Sequence, residues 1–222
     1  ALSHLQQQHA SGKPFFSLVF TSSNHTPFEF PDGRIELHEQ PKNTVNNAVK
    51  YADYALGQFI AKARQQPYWQ DTLFLIVADH DNRVYGDNLV PVEKFHIPAL
   101  ILGADIASKQ IKPVASQIDL APTLLSLMGL DSTTPLIGRD FAADDSSPGR
   151  ALLQFYEYFA LLEEQQLTIL RPQQPPVGAH YDPISHKVQL SDDSVSPQQH
   201  KKALAQVLLP SYLYRQQRYR SK

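Results

Sequence analysis

An apolar run at residues 72–78 ends abruptly at Asp79 and His80. A short run rich in leucine, isoleucine, valine and phenylalanine and bounded by polar residues is typical of a buried strand. Open α/β sheets place ligands and catalytic groups at the carboxyl ends of their strands. A carboxylate and an imidazole are both ligands for divalent metals. The pair is therefore a candidate metal site, and the alternative is that the two side chains only cap and solvate the turn.

The composition is that of a globular protein. A chain of 222 residues with 42% hydrophobic residues is long enough to bury a substantial core. The formal charge of −2 gives no field that would attract nucleic acid across the whole surface, so we expect no nucleic-acid partner. The absence of cysteine excludes disulfides, thiolate metal sites and cysteine nucleophiles.

The position of the single methionine, Met128, bears on what precedes the chain, because Ala1 is then not a natural start of translation. We expect at least a start methionine, or a whole segment, to have been removed. The sequence has no run of about 18 apolar residues that would span a membrane. Any membrane-spanning segment is therefore expected before Ala1.

Strand and helix patterns alternate in the first two thirds of the chain. Residues 15–21 and 72–78 predict buried strands, and an apolar face with spacings of three and four predicts a helix over about 44–65 between them. A third strand is predicted at 97–102. Strands and helices of these lengths indicate right-handed crossovers, so the predicted fold class is α/β, a mainly parallel sheet flanked by helices.

The pattern changes beyond about residue 148. Residues 152–170 and 187–190 predict short antiparallel strands, the proline-rich stretch 171–176 predicts a connector, and Pro197 opens a helix that runs to about 217. We therefore predict a small antiparallel β part plus a helix at the C-terminal end. The predicted division is residues 1–147 for the main domain and 148–222 for an extension packed on it.

Two further side chains are candidates for binding a substrate. His25 follows the strand predicted at 15–21, and the carboxyl ends of neighbouring parallel strands meet at one edge of a sheet. His25 then either binds a substrate oxygen beside a metal or caps the turn before Pro27. Arg83 lies four residues beyond Asp79, within reach of an anionic ester that it would bind through two parallel hydrogen bonds, although a solvated surface arginine is the alternative.

Asp119 and the C-terminal cations are predicted to have structural roles. Asp119 precedes Pro122 and is predicted to start a helix or fix a loop. The C-terminal cations Arg215, Arg218, Arg220 and Lys222 are predicted to be a solvated helix end that complements the helix dipole.

Five segments follow one another in an order that identifies a family. They are Ser-Asn-His-Thr-Pro-Phe at 23–28, the helix at 43–64, Ile-Val-Ala-Asp-His at 76–80, Ile-Pro-Ala-Leu-Ile at 97–101 and Asp-Leu-Ala-Pro-Thr-Leu-Leu at 119–125. Together they resemble the sulfatase-like catalytic domain of lipoteichoic acid synthase and related phosphoglycerol transferases, in the alkaline phosphatase superfamily. The resemblance covers about residues 10–141.

The resemblance implies a metal-dependent transfer of phosphoglycerol from a phospholipid donor to a glycan or lipid acceptor of the cell envelope. Asp79 and His80 would bind a divalent metal, manganese, magnesium or zinc, and His25 would contact the substrate headgroup. The family's metal-binding glutamate and threonine nucleophile come earlier in its sequence, and no segment before Phe20 matches them. The resemblance thus implies the C-terminal portion of a catalytic domain, nearly inactive alone and held outside the cytoplasmic membrane by helices that precede it.

One position departs from the family pattern, because Asp81 stands where the family usually has glycine after Asp-His. A third carboxylate either binds a second cation, adjusts the charge around the first, or points to solvent. The fine substrate class therefore stays open. The alternatives are a sulfatase, a phosphoethanolamine transferase, or a non-catalytic binding relative of the same fold.

Overall fold

The computed structural model describes residues 1–81, 84–131 and 133–220. The chain divides into two compact units. The first comprises Ala1–Ile76 and Ala99–Ala107, and the second comprises Val77–Pro98 and Ser108–Lys222. The division predicted at 147 and 148 lies inside the second unit and stays a prediction. Helices and strands both contribute to the structure, which confirms the α/β class.

The first unit is built on two helices, α1 (Leu2–Ala10) and α2 (Val45–Ala63). The helix predicted over 44–65 is confirmed, with Thr44 as its N-cap: the Thr44 hydroxyl oxygen accepts a hydrogen bond from the Asn47 N–H at 3.3 Å. The unit's core joins both helices to the 3₁₀ turn at Pro67–Asp71. Its buried members are Leu5, Ala63, Tyr68 and Trp69, and Leu2, Phe15, Phe59, Ile60, Phe74 and Leu102 pack against them.

Two short strands form a two-stranded sheet, β1 (Phe74–Val77) and β2 (Ala99–Leu102). They confirm the strands predicted at 72–78 and 97–102, with shorter bounds. The larger parallel sheet predicted from the sequence stays a prediction.

The strand predicted at 15–21 is wrong for this structure, because those residues belong to no strand or helix. Three large side chains of the segment are exposed, Phe16 at 88%, Leu18 at 80% and Phe20 at 76%, whereas Phe15 packs against the core of the first unit. A strand needs a neighbour to accept and donate its backbone hydrogen bonds, whereas a helix satisfies its own. Residues 15–21 have the apolar composition of a strand, but no partner strand lies beside them in the part of the chain that the structure describes.

The second unit contains a five-stranded antiparallel meander in the order β3-β4-β5-β6-β7. The strands are β3 (Arg150–Phe155), β4 (Tyr158–Glu163), β5 (Gln166–Arg171), β6 (Gln174–Asp182) and β7 (Lys187–Leu190). These strands confirm the antiparallel part predicted at this end of the chain.

The meander is buried on both faces at its centre. On one face, Leu162 and Ile169 pack with Val90 and Val92 from the loop before β2. The other face is covered by α4 (Pro197–Arg215), which contacts β4 and β5. The predicted C-terminal helix is confirmed, and it begins with a capping box in which Ser196 and Gln199 bond to each other's backbone N–H.

The connector predicted at 171–176 is wrong in its second half, since β6 begins at Gln174 and includes Pro175 and Pro176. Prolines are tolerated in strands at edges and bulges, where no backbone N–H is required. Here the register with β5 shifts between Ile169 and Arg171. The pairing with β7 starts only at Ala179, so the prolines have no partner on that side of β6 among the residues that the structure describes.

Candidate metal-binding site

Asp79 and His80 follow β1 after one intervening residue, Ala78, and both side chains are mostly exposed, at 60% and 69%. The Asp79 Oδ1 atom accepts a hydrogen bond from the His80 backbone N–H at 2.9 Å. Its second oxygen, Oδ2, lies 3.5 Å from His80 Nε2. The two side chains therefore converge on one point although they are adjacent in the sequence, which is possible because the chain has already left the strand.

The ring of His80 is oriented by its other nitrogen. Nδ1 lies 2.6 Å from the carbonyl oxygen of Asp81. A carbonyl oxygen only accepts hydrogen bonds, so Nδ1 carries the proton and, in the neutral ring, Nε2 carries the lone pair. A backbone carbonyl that fixes the tautomer in this way is a common second partner of metal-binding histidines.

The spacing of the two donor atoms suits a shared cation. Two ligands at about 2.1 Å from one ion, at a tetrahedral angle, have donor atoms about 3.4 Å apart, close to the 3.5 Å between Asp79 Oδ2 and His80 Nε2. Over residues 1–81, 84–131 and 133–220, no group of three or more histidine, aspartate or glutamate side chains could hold a metal. Asp79 and His80 would supply two donors to such a site, so their predicted role as metal ligands also requires donors from other residues.

Gln117 holds the backbone at this pair, a role that the sequence analysis missed. Its side-chain amide donates to the carbonyl oxygens of Ala78 at 3.1 Å and Asp79 at 2.9 Å. Gln117 is 38 residues from Asp79 in the sequence, so no local pattern pointed to it. It begins the short 3₁₀ turn Gln117–Asp119 that leads into α3 (Leu120–Leu127).

The same turn is anchored by Asp119, whose side chain is almost fully buried. Its carboxylate accepts hydrogen bonds from the backbone N–H groups of Ser116 and Arg139, both at 2.7 Å. The Arg150 guanidinium donates to both oxygens, at 3.0 and 3.2 Å. The structure therefore supports the loop-fixing role predicted for Asp119, and extends it to a link with β3.

Two glycines near this carboxylate, Gly138 and Gly149, lie very close to other backbone segments. A Cβ atom at Gly138 would lie 1.9 Å from the carbonyl oxygen of Ile118, and one at Gly149 would lie 1.7 Å from that of Val114. Both distances are far inside van der Waals contact. Only glycine fits at these positions, so the turn that carries Gln117 is held by the backbone as well as by the ion pair.

His25 lies in a tight turn that follows residues 15–21. Its backbone N–H donates to the carbonyl of Ser22 at 3.1 Å, and its own carbonyl accepts from Phe28 at 2.7 Å. The ring Nδ1 donates to the carbonyl of Thr26 at 2.8 Å, which leaves Nε2 for another partner. The side chain is exposed. His25 belongs to the first unit and Asp79 to the second, so their predicted meeting at one site stays a prediction.

Arg83 and Asp81 are the remaining candidates. Arg83 lies outside the described residues, and its predicted role in binding an anionic ester stays a prediction. Asp81 contributes its backbone oxygen to the orientation of His80, as described above. The action of the Asp81 carboxylate on a cation stays a prediction.

Comparisons with known proteins agree with this fold. The sulfatase family model matches residues 1–130, which include β1, β2, α3 and the Asp79–His80 pair. The chain belongs to the sulfatase family. A crystal structure of a protein in the alkaline phosphatase superfamily from Vibrio parahaemolyticus is 44% identical and superposes with a TM-score of 0.90 over 99% of this chain. The resemblance inferred from the ordered segments is thereby confirmed.

Curated relatives include the lipoteichoic acid synthase-like protein YvgJ of Bacillus subtilis, 25% identical over 61% of this chain, and phosphoglycerol transferase I of Xanthomonas axonopodis pv. citri, 29% identical over 62%. The lipoteichoic acid synthase of Staphylococcus saprophyticus is 26% identical over 60%. The chain spans 26%, 20% and 24% of these three proteins, and 54% of the Vibrio protein.

Proposed function

We propose that the protein to which this chain belongs is a metal-dependent phosphoester transferase that moves phosphoglycerol from a phospholipid donor to a glycan or lipid acceptor of the cell envelope. The observation that carries the proposal is the convergence of Asp79 Oδ2 and His80 Nε2, 3.5 Å apart, at the end of β1. The name of one relative, phosphoglycerol transferase I, supports phosphoglycerol as the transferred group.

In this proposal Asp79 and His80 hold a manganese, magnesium or zinc ion. Such an ion, when bound, polarises a phosphoryl oxygen and stabilises the charge that develops on it. Asp79 supplies a carboxylate oxygen and His80 supplies Nε2, held in the correct tautomer by the Asp81 carbonyl. His25 would donate to or accept from the donor headgroup through Nε2, and Arg83 would pair with the anionic ester.

The proposal assigns the rest of the catalytic machinery to residues outside these 222. The resemblance implies a threonine nucleophile, activated by the metal, and a further metal-binding glutamate. Both would belong to the part of the protein outside these 222 residues. Two findings support this division. The chain spans only 54% of the Vibrio protein, and Phe16, Leu18 and Phe20 are exposed, as expected where a neighbouring strand belongs to another part of the protein.

The proposed location follows from the proposed donor. A phospholipid donor and an envelope acceptor meet at the outer face of the cytoplasmic membrane, so the catalytic domain would be periplasmic or extracellular. Among the described residues, no helix is both long and apolar enough to cross a bilayer. In the proposal, the tether is a set of membrane helices elsewhere in the protein.

The decisive experiment is Asp79→Asn in the full-length protein, assayed for release of diacylglycerol from phosphatidylglycerol with added manganese, magnesium or zinc. Removal of a charged metal ligand should lower turnover at least about 100-fold, because the stabilisation of developing charge is lost. Asp105→Asn, a change of the same type at an exposed turn residue, should leave turnover unaltered. Unchanged turnover in Asp79→Asn would remove this residue from the site.

The substrate class is tested by the same full-length protein on phosphatidylglycerol, an aryl sulfate and phosphatidylethanolamine. Turnover of the first alone supports the proposal. Turnover of the second identifies a sulfatase, and turnover of the third identifies a phosphoethanolamine transferase. Binding of a lipid without turnover of any of the three would identify a non-catalytic relative.

A further inference from the structure

The outer face of α4 carries an apolar stripe with a cation at each end. Lys201, Leu204, Leu208, Tyr212 and Arg215 follow one another at spacings of three or four, which places them on one side of the helix. The three apolar members are exposed, Leu204 at 39%, Leu208 at 54% and Tyr212 at 49%. We call these five residues the outer stripe.

The outer stripe is not needed to hold α4 on the sheet. The helix contacts β4 and β5 through its other side, where Ala203 is buried and Gln206, Val207 and Pro210 line one pocket with residues of the sheet. Both sides of α4 are therefore apolar, although only one has a partner within the described residues. An exposed apolar stripe on a helix marks a surface for interaction.

The segment after Asp193 is positively charged, unlike the chain as a whole. No aspartate or glutamate follows Asp193, whereas six lysines and arginines do, in a chain whose formal charge is −2. Within residues 1–81, 84–131 and 133–220, the guanidinium groups of Arg215, Arg218 and Arg220 form no ion pair. These cations are free to meet an anionic surface.

Tyrosines accompany the cations at the end of the helix. The rings of Tyr214 and Tyr219 stack with their centroids 5.5 Å apart. The Arg218 guanidinium lies 6.0 Å from the centroid of Tyr212, and that of Arg220 lies 5.7 Å from the centroid of Tyr219. Tyrosine is enriched at the level of lipid headgroups because its ring is apolar and its hydroxyl is polar.

We propose that the outer stripe of α4, with Arg218 and Arg220, docks on the surface of an anionic lipid bilayer. The leucines and Tyr212 would enter the boundary between headgroups and acyl chains, and the cations would pair with lipid phosphates. The charge of the helix complements that of anionic lipid. A nucleic acid would meet the cations equally well, but it offers no apolar layer for Leu204 and Leu208. The proposal does not depend on the metal site.

The test is co-sedimentation of the 222-residue chain with vesicles of phosphatidylcholine, alone or mixed with phosphatidylglycerol. Each cation at an anionic surface contributes about fivefold to partitioning, so the triple variant R215Q/R218Q/R220Q should bind the mixed vesicles about 100-fold more weakly. The matched control is K13Q/K50Q/K112Q, which removes the same charge from exposed lysines elsewhere. It should bind as the unaltered chain does, and raised salt should weaken binding.

The apolar part of the proposal has its own pair of variants. L204S/L208S should bind the mixed vesicles about tenfold more weakly, since less apolar surface enters the bilayer. F16S/L18S alters two exposed apolar residues far from α4 in the sequence, and it should keep the preference for phosphatidylglycerol. Each variant should fold, because only exposed side chains are changed. Circular dichroism and thermal unfolding check this.

The outcomes separate docking on lipid from other behaviour. Binding that requires phosphatidylglycerol, and that both α4 variants lose while both controls keep it, supports the proposal. Equal binding to both kinds of vesicle, equal loss in the controls, or no binding overturns it. So does tight binding of a duplex oligonucleotide that L204S/L208S retains, because the surface would then serve nucleic acid.

Discussion

The buried carboxylate of Asp119 and the guanidinium of Arg150 form an ion pair, at 3.0 Å, between two segments 31 residues apart. Arg150 opens β3, and Asp119 ends the 3₁₀ turn that contains Gln117. Gln117 in turn donates to the carbonyl of Asp79. The ion pair, the turn and this hydrogen bond therefore connect the meander to the candidate metal ligands. All of these residues lie in the second unit.

We predict that Asp119→Ala lowers the free energy of unfolding by about 3–5 kcal/mol, the usual cost of removing one member of a buried pair. The variant leaves the Arg150 guanidinium and the backbone N–H groups of Ser116 and Arg139 without their acceptor. Arg150→Met should cost less, because both backbone donors still bond to the carboxylate. Urea unfolding measures both variants, and equal losses would contradict this ordering.

The control is Lys109→Ala, which breaks the ion pair between Lys109 and Asp145. Both of its side chains are more than 40% exposed. An exposed pair contributes at most about 1 kcal/mol. A loss at Lys109 as large as that at Asp119 would show that burial is not the cause.

Gln117→Ala should weaken the binding of a divalent cation to the full-length protein by about tenfold, if Asp79 is a ligand as proposed. The variant frees the backbone carbonyls of Ala78 and Asp79, so Asp79 is less well placed. Isothermal titration calorimetry with the metal alone measures the effect, and circular dichroism checks the fold. Gln154→Ala, in β3, is the control. Unaltered affinity in Gln117→Ala would mean that its amide has only a structural role.

Asn47→Ala should destabilise the first unit by about 2–4 kcal/mol, the cost of leaving several buried polar groups without partners. The Asn47 side chain is fully buried, and its amide donates to the carbonyls of Glu39, Pro41 and Lys42. Its oxygen accepts from the N–H of His38 at 2.6 Å. Chemical unfolding of the variant, followed by tryptophan fluorescence, measures the loss.

The neighbouring residue Asn46 is a matched control. Asn46 is exposed, and among the described residues its side chain bonds only to the Glu39 side chain, at 3.0 Å. Asn46→Ala should change stability by no more than about 0.5 kcal/mol. Equal effects at the two asparagines would show that the buried amide does not hold the loop.

Tyr181→Phe should reduce the loss of stability in alkali. Burial raises the pKa of Tyr181 above its ordinary value of 10.0, and the charges of Glu93 and Asp182 raise it further. The folded state therefore favours the protonated phenol. Its contribution is fully present below pH 10.0 and is lost as the pH rises through the higher, folded-state pKa, because the unfolded chain releases the proton first.

Unfolding free energies measured from pH about 8 to 11 give the two slopes. The variant's curve should fall less steeply than that of the unaltered protein above the ordinary pKa of tyrosine. Tyr156→Phe, at a side chain that is 74% exposed, should leave the slope unaltered. Parallel curves for Tyr181→Phe and the unaltered chain would contradict the prediction.

The sequence by itself determined the features that depend on neighbours along the chain. The spacing of apolar residues placed α2, and Pro197 placed the start of α4, because a helix closes its hydrogen bonds within itself. The end of an apolar run placed Asp79 and His80 after a strand. Because the two residues are adjacent, the approach of their side chains needs no contact between distant parts of the chain. Their position could be predicted for these reasons.

Tertiary structure decided the features that join distant parts of the chain. Gln117 reaches Asp79 over 38 residues and Arg150 reaches Asp119 over 31, and neither contact leaves a local pattern in the sequence. Residues 15–21 have the composition of a strand, but a strand exists only where another backbone completes its hydrogen bonds. Packing also brought Pro175 into β6, at a stretch where no neighbour needs its missing N–H.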